Sequence, residues 1–387
     1  MTDATDATDA TDPTDPTANG QPPSRLRRSP LDDRHRALGA TMTAFGGWDM
    51  PLDYGSVVAE HRAVRSTAGV FDLSHLGTLR VTGPQATEVI ARAFTNDVRR
   101  LPVGRAQYSL CLDDDGGILD DLLVYHLPWG YLVVPNAANA AAVLESVRAA
   151  AAGRDAQVVD VKEALACLAV QGPRSLDVVR SGAGVDPGDL DYLDCQVLGQ
   201  PVPDANDLAV LARSGYTGER GYELFVPAGQ APRLWDRLVA AGAVPVGLGA
   251  RDTLRLEMGY PLHGADIYLD ASPVEARLGW ACRGSGFRGE QAYRRHTADS
   301  AARRLLGLRA TGRGIPRAGQ IVFRAGGQQP VGETTSGTFS PTLGLGIALA
   351  YMDSEIAEGD ALEVDVRGRR VAVVAARPPF VDADPRA

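Results

Sequence analysis

Asp114-Asp115-Gly116-Gly117-Ile118-Leu119-Asp120-Asp121-Leu122-Leu123-Val124-Tyr125 is the stretch on which the reading of this chain turns. An Asp-Gly-Gly run between two apolar segments predicts a β-hairpin, because glycine accepts positive φ without strain. The incoming strand is Tyr108 to Leu112 and the outgoing one Ile118 to Leu127. Two carboxylates interrupt the outgoing strand. Side chains alternate across a strand, so Asp120 and Asp121 face opposite ways. Asp121 shares its side with Leu119, Leu123 and Tyr125, and Asp120 shares the other with Ile118, Leu122 and Val124. Neither side reads as open to water, and an unpaired buried carboxylate is costly. At least one of the two acids therefore needs a cation, a set of donors or a ligand. The plainer alternative, above all for Asp120, is a structural acid that ties down the Asp115-Gly116-Gly117 turn.

Upstream of the hairpin, Ser29-Pro30-Leu31 caps a short helix over Asp32 to Leu38, and Phe45 to Pro51 is a Gly/Pro-punctuated loop. Val57 to Thr67 has helical spacing, with His61 on a packed face. Val70 to Gly77 reads as a strand broken by Ser74-His75. Adjacent strand residues point apart, and no Gly-x-Ser-x-Gly elbow is present, so a hydrolase triad is not supported. Leu79 to Thr82 is a strand, and Gly83-Pro84 opens a helix to about Phe94.

Downstream, Tyr131 to Val134 is a strand and Asn136 is placed to cap an Ala-rich helix over Ala137 to Ala151. The other reading of Asn136 is a ligand contact. Leu165 to Val170, Leu208 to Ala212 and Gly221 to Val226 are further strands. Glu223, between Tyr222 and Leu224, suits a partner with two parallel N–H donors, either a structural arginine or an aminopyrimidine edge. Gly247 to Asp252 leads into a helix over Thr253 to Met258, with Arg251 near its start. A cation there gains nothing from the helix dipole, which leaves an anionic ligand or a local salt bridge. Strand-like runs at Ile321–Phe323, Gly346–Ala350, Ala361–Val366 and Val371–Ala375 predict a small β-rich C-terminal unit.

A chain of 387 residues exceeds one ordinary core, so two or three domains are expected. Its net charge of -9 argues against a nucleic-acid partner. Cys111, Cys167, Cys195 and Cys282 are widely spaced among apolar neighbours and read as reduced core thiols. Residues 1–24, a Thr-Asp-Ala/Pro tract with a polar sequel, read as a disordered tail and not as a secretory or transit signal. No stretch reaches the roughly 20 apolar residues of a membrane span, so no membrane partner and a cytoplasmic location are expected. Lys162 is the only lysine and lies in a strand-like context, which excludes a phosphate loop and disfavours pyridoxal phosphate. Neither a dinucleotide fingerprint nor a His/Cys cluster for a metal is present. What remains is chemistry by carboxylates, tyrosines and an arginine on a bound organic molecule.

Seven motifs in one order carry a resemblance. They are Phe45-Gly46-Gly47-Trp48-Asp49-Met50-Pro51, Phe71-Asp72-Leu73-Ser74-His75-Leu76-Gly77, Thr95-Asn96-Asp97 and Gly116-Gly117-Ile118-Leu119-Asp120-Asp121. Gly215-Tyr216-Thr217-Gly218-Glu219, Gly247-Leu248-Gly249-Ala250-Arg251-Asp252 and Ser340-Pro341-Thr342-Leu343-Gly344 complete the set. From about Ser29 to Phe380 the chain closely resembles the folate-binding aminomethyltransferase family, the T-proteins of the glycine cleavage system. The resemblance implies an α+β fold of three domains round a central folate channel. The first would combine 25–79 with 165–250, the second 80–164 with 251–300, and 301–382 would form a small β-barrel-like unit. It implies transfer of a methylene group to tetrahydrofolate from an aminomethyl group on the lipoyl arm of H-protein, with ammonia released. No metal or pyridoxal phosphate enters that reaction.

By motif position the resemblance makes Asp121 the key acid near the folate nitrogens and Glu223 the grip on the pterin. Tyr108, Tyr125, Asn136, Tyr216 and Leu76 would line the site, with Arg251 near the channel entrance. Leu76 stands where methionine is usual, Pro135 where another apolar residue is usual, and Arg283 where lysine is common. A folate-dependent demethylase of a small methylated amine or ether is the alternative, since such enzymes share several of the motifs. A folate-binding protein without transferase activity is disfavoured by the intact Asp121 and Arg251 motifs.

Overall fold

The computed structural model describes residues 26–198, 209–299 and 301–386. The tail expected over residues 1–24 and the predicted strand start at Leu208 lie outside them.

The Asp-bearing hairpin forms. Arg105–Leu112 pairs antiparallel with Ile118–Leu127, with a register shift between Cys111 and Leu112. Gly116 takes φ +83°, and Asp113 Oδ1 accepts from the backbone N–H groups of Asp115 (3.0 Å) and Gly117 (2.8 Å). Asp113 therefore ties down the turn, and the structural role considered for Asp120 is overturned. The carbonyl of Leu269 lies 1.9 Å from where a Cβ on Gly117 would stand, and Ala271 accepts from the Ile118 N–H at 3.2 Å. Only glycine lets the 269–271 segment close on the hairpin.

The hairpin heads an antiparallel five-stranded sheet that continues through Gly130–Val134, Leu79–Thr82 and Gln157–Asp160. One face carries Leu79, Val81, Leu122, Val124 and Val133 against Val89, Ile90, Val143 and Val147 of the helices Ala86–Ala93 and Ala140–Ala151. The other face, with Ala106, Tyr125, Leu132 and Val134, packs on a second sheet. That sheet has six strands, in the order Cys195–Val197, Val210–Ala212, Gly221–Pro227, Leu165–Gln171, Gly69–Asp72 and Val244–Pro245. Leu165–Gln171 is buried at every position, as a central strand with both faces covered must be. The second sheet's outer face buries Trp235 and Leu238 of the helix Ala231–Ala240.

Residues 303–376 close into a six-stranded barrel with its own core of Leu308, Val322, Ala350, Val364 and Val373, as the β-rich reading of this segment expects. Buried Glu257, at the end of the helix Leu248–Glu257, ties the barrel to the rest. It accepts from Ser340 Oγ (2.5 Å), Thr342 Oγ1 (2.9 Å) and Arg65 Nη2 (2.8 Å), with His61 Nε2 at 3.2 Å. The Ser340-Pro341-Thr342 motif is thus accounted for, and His61 is a packed helix residue as read.

Local expectations differ from the structure in five places. Lys162, read in a strand-like context, lies in the turn between strands Gln157–Asp160 and Leu165–Gln171. Phe45 to Pro51 is no loop. Gly46 and Gly47, both at positive φ, make a two-residue turn between strands Thr41–Phe45 and Trp48–Asp53. The strand at Val70 stops at Asp72, whose Oδ1 accepts from the Ser74 N–H (2.8 Å) and turns the chain. A single 3₁₀ turn, Ala137–Asn139, precedes the helix Ala140–Ala151, and Asn136 makes no side-chain cap. The helix carrying Arg251 begins at Leu248, not Thr253, because Gly247 fits its backbone against the Leu52 carbonyl. Among the described residues no helix is long and apolar enough to cross a membrane.

Candidate functional site

The acids on the hairpin strand face opposite ways, as the alternation requires, yet one side chain reaches both. Asn136 follows the neighbouring strand, and its Nδ2 lies 2.9 Å from Asp120 Oδ1, 2.9 Å from the Asp121 carbonyl and 3.0 Å from Asp121 Oδ1. The Asn136 N–H donates to Asp120 Oδ2 (2.9 Å), and Asn139 Nδ2 donates to Asp120 Oδ1 (2.7 Å). Tyr108, across the hairpin, donates its hydroxyl to Asp121 Oδ2 (3.0 Å). The Asp121 carboxylate is thus held at both oxygens.

No cation pairs with either acid among the described residues, and Asp120 is wholly buried. Burial and the neighbouring Asp121 charge push the Asp120 carboxyl up to about 8, against the donors from Asn136 and Asn139. Burial also raises Asp121, while His263, Tyr108 and Asn136 pull it back. Burial, then the Asp121 charge, holds the Tyr108 phenol above its usual range, so it remains a donor.

Glu223 stands on the second sheet, 7% exposed. Its Oε2 accepts from Tyr125 (2.8 Å) and Ser214 (2.5 Å), and neither an arginine nor a lysine pairs with it among the described residues. The structural arginine considered for Glu223 is therefore absent there, and Oε1 is left for another donor. Tyr125, fully buried, points from the first sheet to the second and links the two.

Arg251, half-buried, lies with its guanidinium 4.6 Å from the centre of the Tyr216 ring. Tyr216 stacks on Tyr260 at 5.5 Å and donates to the Pro261 carbonyl. Asp252 pairs with Arg255 at 2.8 Å, and the local salt bridge weighed for Arg251 is not formed among the described residues. Burial lowers the Arg251 pKa, with the Tyr216 and Glu223 charges opposing. Tyr216 in turn lies within electrostatic reach of Asp121. Leu76 is half-buried on the core between the sheets.

Two groups of the residues singled out in the sequence thus form, Asp121 with Tyr108 and Asn136, and Glu223 with Tyr125, and Tyr216 and Arg251 lie within electrostatic reach of Asp121 and Glu223 respectively. The structure adds Ser214, Asn139, His263 and Trp280. Ser214 adjoined a quoted motif, whereas nothing local distinguished the other three. Trp280, 53% exposed, stacks on Tyr108 at 5.3 Å. Ser74 and His75 form no dyad: Ser74 Oγ accepts from the Cys167 N–H at 3.2 Å, and both His75 ring nitrogens are buried without a hydrogen-bond partner among the described residues. Burial, reinforced by Arg251, drives His75 down to about 3, so it is neutral. Lys162 donates to the Ser74 carbonyl and lies over Trp48, a structural anchor. A cavity of about 450 Å³ opens at the far end of the hairpin, between Asp115–Gly117 and Leu269–Ser272, and is lined by none of Asp120, Asp121 and Glu223.

Residues 31–285 match the family model described as the GCVT N-terminal domain, and residues 303–382 match the glycine cleavage T-protein C-terminal barrel domain. An aminomethyltransferase of Frankia alni is 50% identical over 372 residues, covering 93% of this chain and 99% of that protein. One from Mycobacterium tuberculosis is 47% identical over 366 residues, 92% of this chain and 97% of its own length. The crystal structure of glycine cleavage system aminomethyltransferase T from Bartonella henselae matches with a TM-score of 0.85 at 34% identity, covering 93% of this chain and 99% of that one.

Proposed function

The chain belongs to the aminomethyltransferase family, the T-proteins of glycine cleavage, and we propose that it carries out the family's reaction between the two sheets just described. It is a one-carbon transferase. In the proposed reaction the donor is the aminomethyl group on the lipoyl arm of H-protein, the acceptor is tetrahydrofolate, and ammonia leaves.

The observation that carries the reading is Glu223, a buried acid with two hydroxyl donors on one oxygen and no cation partner among the described residues. A carboxylate so placed needs further N–H donors, and a pterin edge offers an amide N–H beside an exocyclic amine. Tyr125 and Ser214 orient this grip. On the facing sheet Asp121, held by Tyr108 and Asn136, sets a fixed negative charge where the reacting nitrogens would lie. A fixed anion stabilises positive charge that develops during transfer, and such preorganised charge contributes several kcal/mol in water-poor sites. Arg251 and Tyr216, with Leu76, complete the proposed lining, with the cation free to meet an anionic part of a ligand.

We retain the domain limits expected from the resemblance as proposals. The four cysteines are free thiols, which supports a reducing compartment such as the cytoplasm. The full-length similarity to aminomethyltransferases does not favour the demethylase alternative. Turnover with lipoylated H-protein and tetrahydrofolate, with small methylated amines run in parallel, tests the reading. Formation of methylene-tetrahydrofolate from the H-protein-bound donor supports it, and turnover of the free amines alone would replace it.

A further inference from the structure

The proposed function uses Asp121 but leaves unexplained the wholly buried acid beside it. Asp120 receives N–H groups only: the Asn136 backbone at 2.9 Å, the Asn136 side chain at 2.9 Å and the Asn139 side chain at 2.7 Å. The Asn136 amide can be oriented from the chemistry of its neighbours. Its nitrogen lies 2.9 Å from the Asp121 carbonyl, which can only accept, so the N–H₂ end faces the hairpin. The other end, the carbonyl oxygen, accepts nothing from the described residues. A similar argument applies next door. His263 Nε2 lies 3.1 Å from the Ile118 carbonyl, which again only accepts, so that nitrogen carries a proton. Its Nδ1, 3.0 Å from Asn139 Nδ2, then accepts, and the Asn139 nitrogen is left directed at both His263 and Asp120. Along the row His263, Asn139, Asp120, Asn136, Asp121 the two amide nitrogens each face both neighbours, so Asp120 accepts from both sides, and the row ends at the backbone carbonyls of Ile118 and Asp121.

We propose that Asp120 is a positioning residue for the transfer: it holds the Asn136 amide with its nitrogen braced against the Asp121 carboxylate and its carbonyl oxygen free to accept from an N–H group of the bound substrates. The inference rests on the proposed reaction and adds a hydrogen-bond acceptor to the site. Asp120 itself touches no substrate and acts through Asn136.

The test is a double-mutant cycle on the full chain with Asp120→Asn, Asn136→Ala and the pair. Turnover is read with lipoylated H-protein, and tetrahydrofolate binding by fluorescence titration. All three donors need an acceptor, so Asp120→Asn sets an amide nitrogen against at least one of them whichever way the amide turns. It should lower kcat about tenfold while the tetrahydrofolate Kd changes by less than about threefold. The double variant should be no slower than Asn136→Ala alone, because the two side chains act as one unit. Wild-type kcat in Asp120→Asn, or multiplicative losses in the pair, would overturn the proposal. Should Asp120→Asn not fold, Asn139→Ala removes one donor from a half-buried position and takes its place in the cycle, with the same two outcomes. A wild-type protein that neither binds tetrahydrofolate nor turns over would defeat the underlying reaction as well. An active wild type with multiplicative losses defeats this inference alone.

Discussion

Asp121 and Glu223 are both acids on strands, but their surroundings give them different tasks. Asp121 is held at both oxygens by Tyr108 and Asn136, which fixes a charge. Glu223 is held at one oxygen only, which leaves the other for a ligand. Asp121→Ala should therefore lower kcat by about a hundredfold or more, with a much smaller change in tetrahydrofolate Kd. Equal losses in both would count against a catalytic role. Glu223→Ala should do the reverse, weakening tetrahydrofolate binding by about 2 kcal/mol, or roughly thirtyfold. Binding titrations beside steady-state kinetics separate the two. The positions of both acids were readable from the strand pattern, since a carboxylate between apolar neighbours demands a partner. Their partners were not readable, because Tyr125 and Ser214 meet Glu223 from 98 and 9 residues away.

The hairpin is the element that places these groups. Its turn chemistry is local: Asp113 and Gly116 act within five residues. Gly117 has a different duty, since its missing Cβ admits the Leu269 carbonyl from a distant segment. Gly117→Ala should cost about 2 kcal/mol by overpacking against backbone that has no rotamer to change. Chemical denaturation would show this as a lower midpoint with an unchanged slope, and an unchanged midpoint would mean that the 269–271 segment simply moves aside. The same contrast explains the misplaced Asn136 cap. An asparagine before an Ala-rich run reads as a cap, but the buried acids of the adjacent strand compete for its amide and win. Local propensity decides such positions only where no stronger charged acceptor lies across the sheet.

For the molecule as a whole, Glu257 is the clasp between the barrel and the stacked sheets. Hydrogen bonds from His61 and Ser340 and the charges of His61 and Arg65 hold its carboxyl down at about 2, against the effect of burial. A carboxyl depressed in the folded state contributes stability that is complete above its unfolded pKa of about 4.3 and is lost as pH falls through the folded value. Thermal unfolding between pH 5 and 2 should therefore lose on the order of 3 kcal/mol through this group. In Glu257→Gln that part of the acid slope should vanish, and an unaltered slope would assign the acid sensitivity elsewhere.

Strand alternation, glycine turns, the β-rich C-terminal segment and the order of seven motifs all follow from short stretches of chain. The motifs carried the fold class through the family resemblance, and alternation and turn geometry, which involve neighbours a few residues apart, picked out the acids that need partners. Tyr125 met Glu223 only when the two sheets stacked, Arg251 met Tyr216 only when its helix packed beside the second sheet, and Asn136 reached both hairpin acids only through the register of its strand with theirs. Hydrogen bonds between side chains far apart in the chain depend on how faces pack, and that depends on every residue in the intervening core.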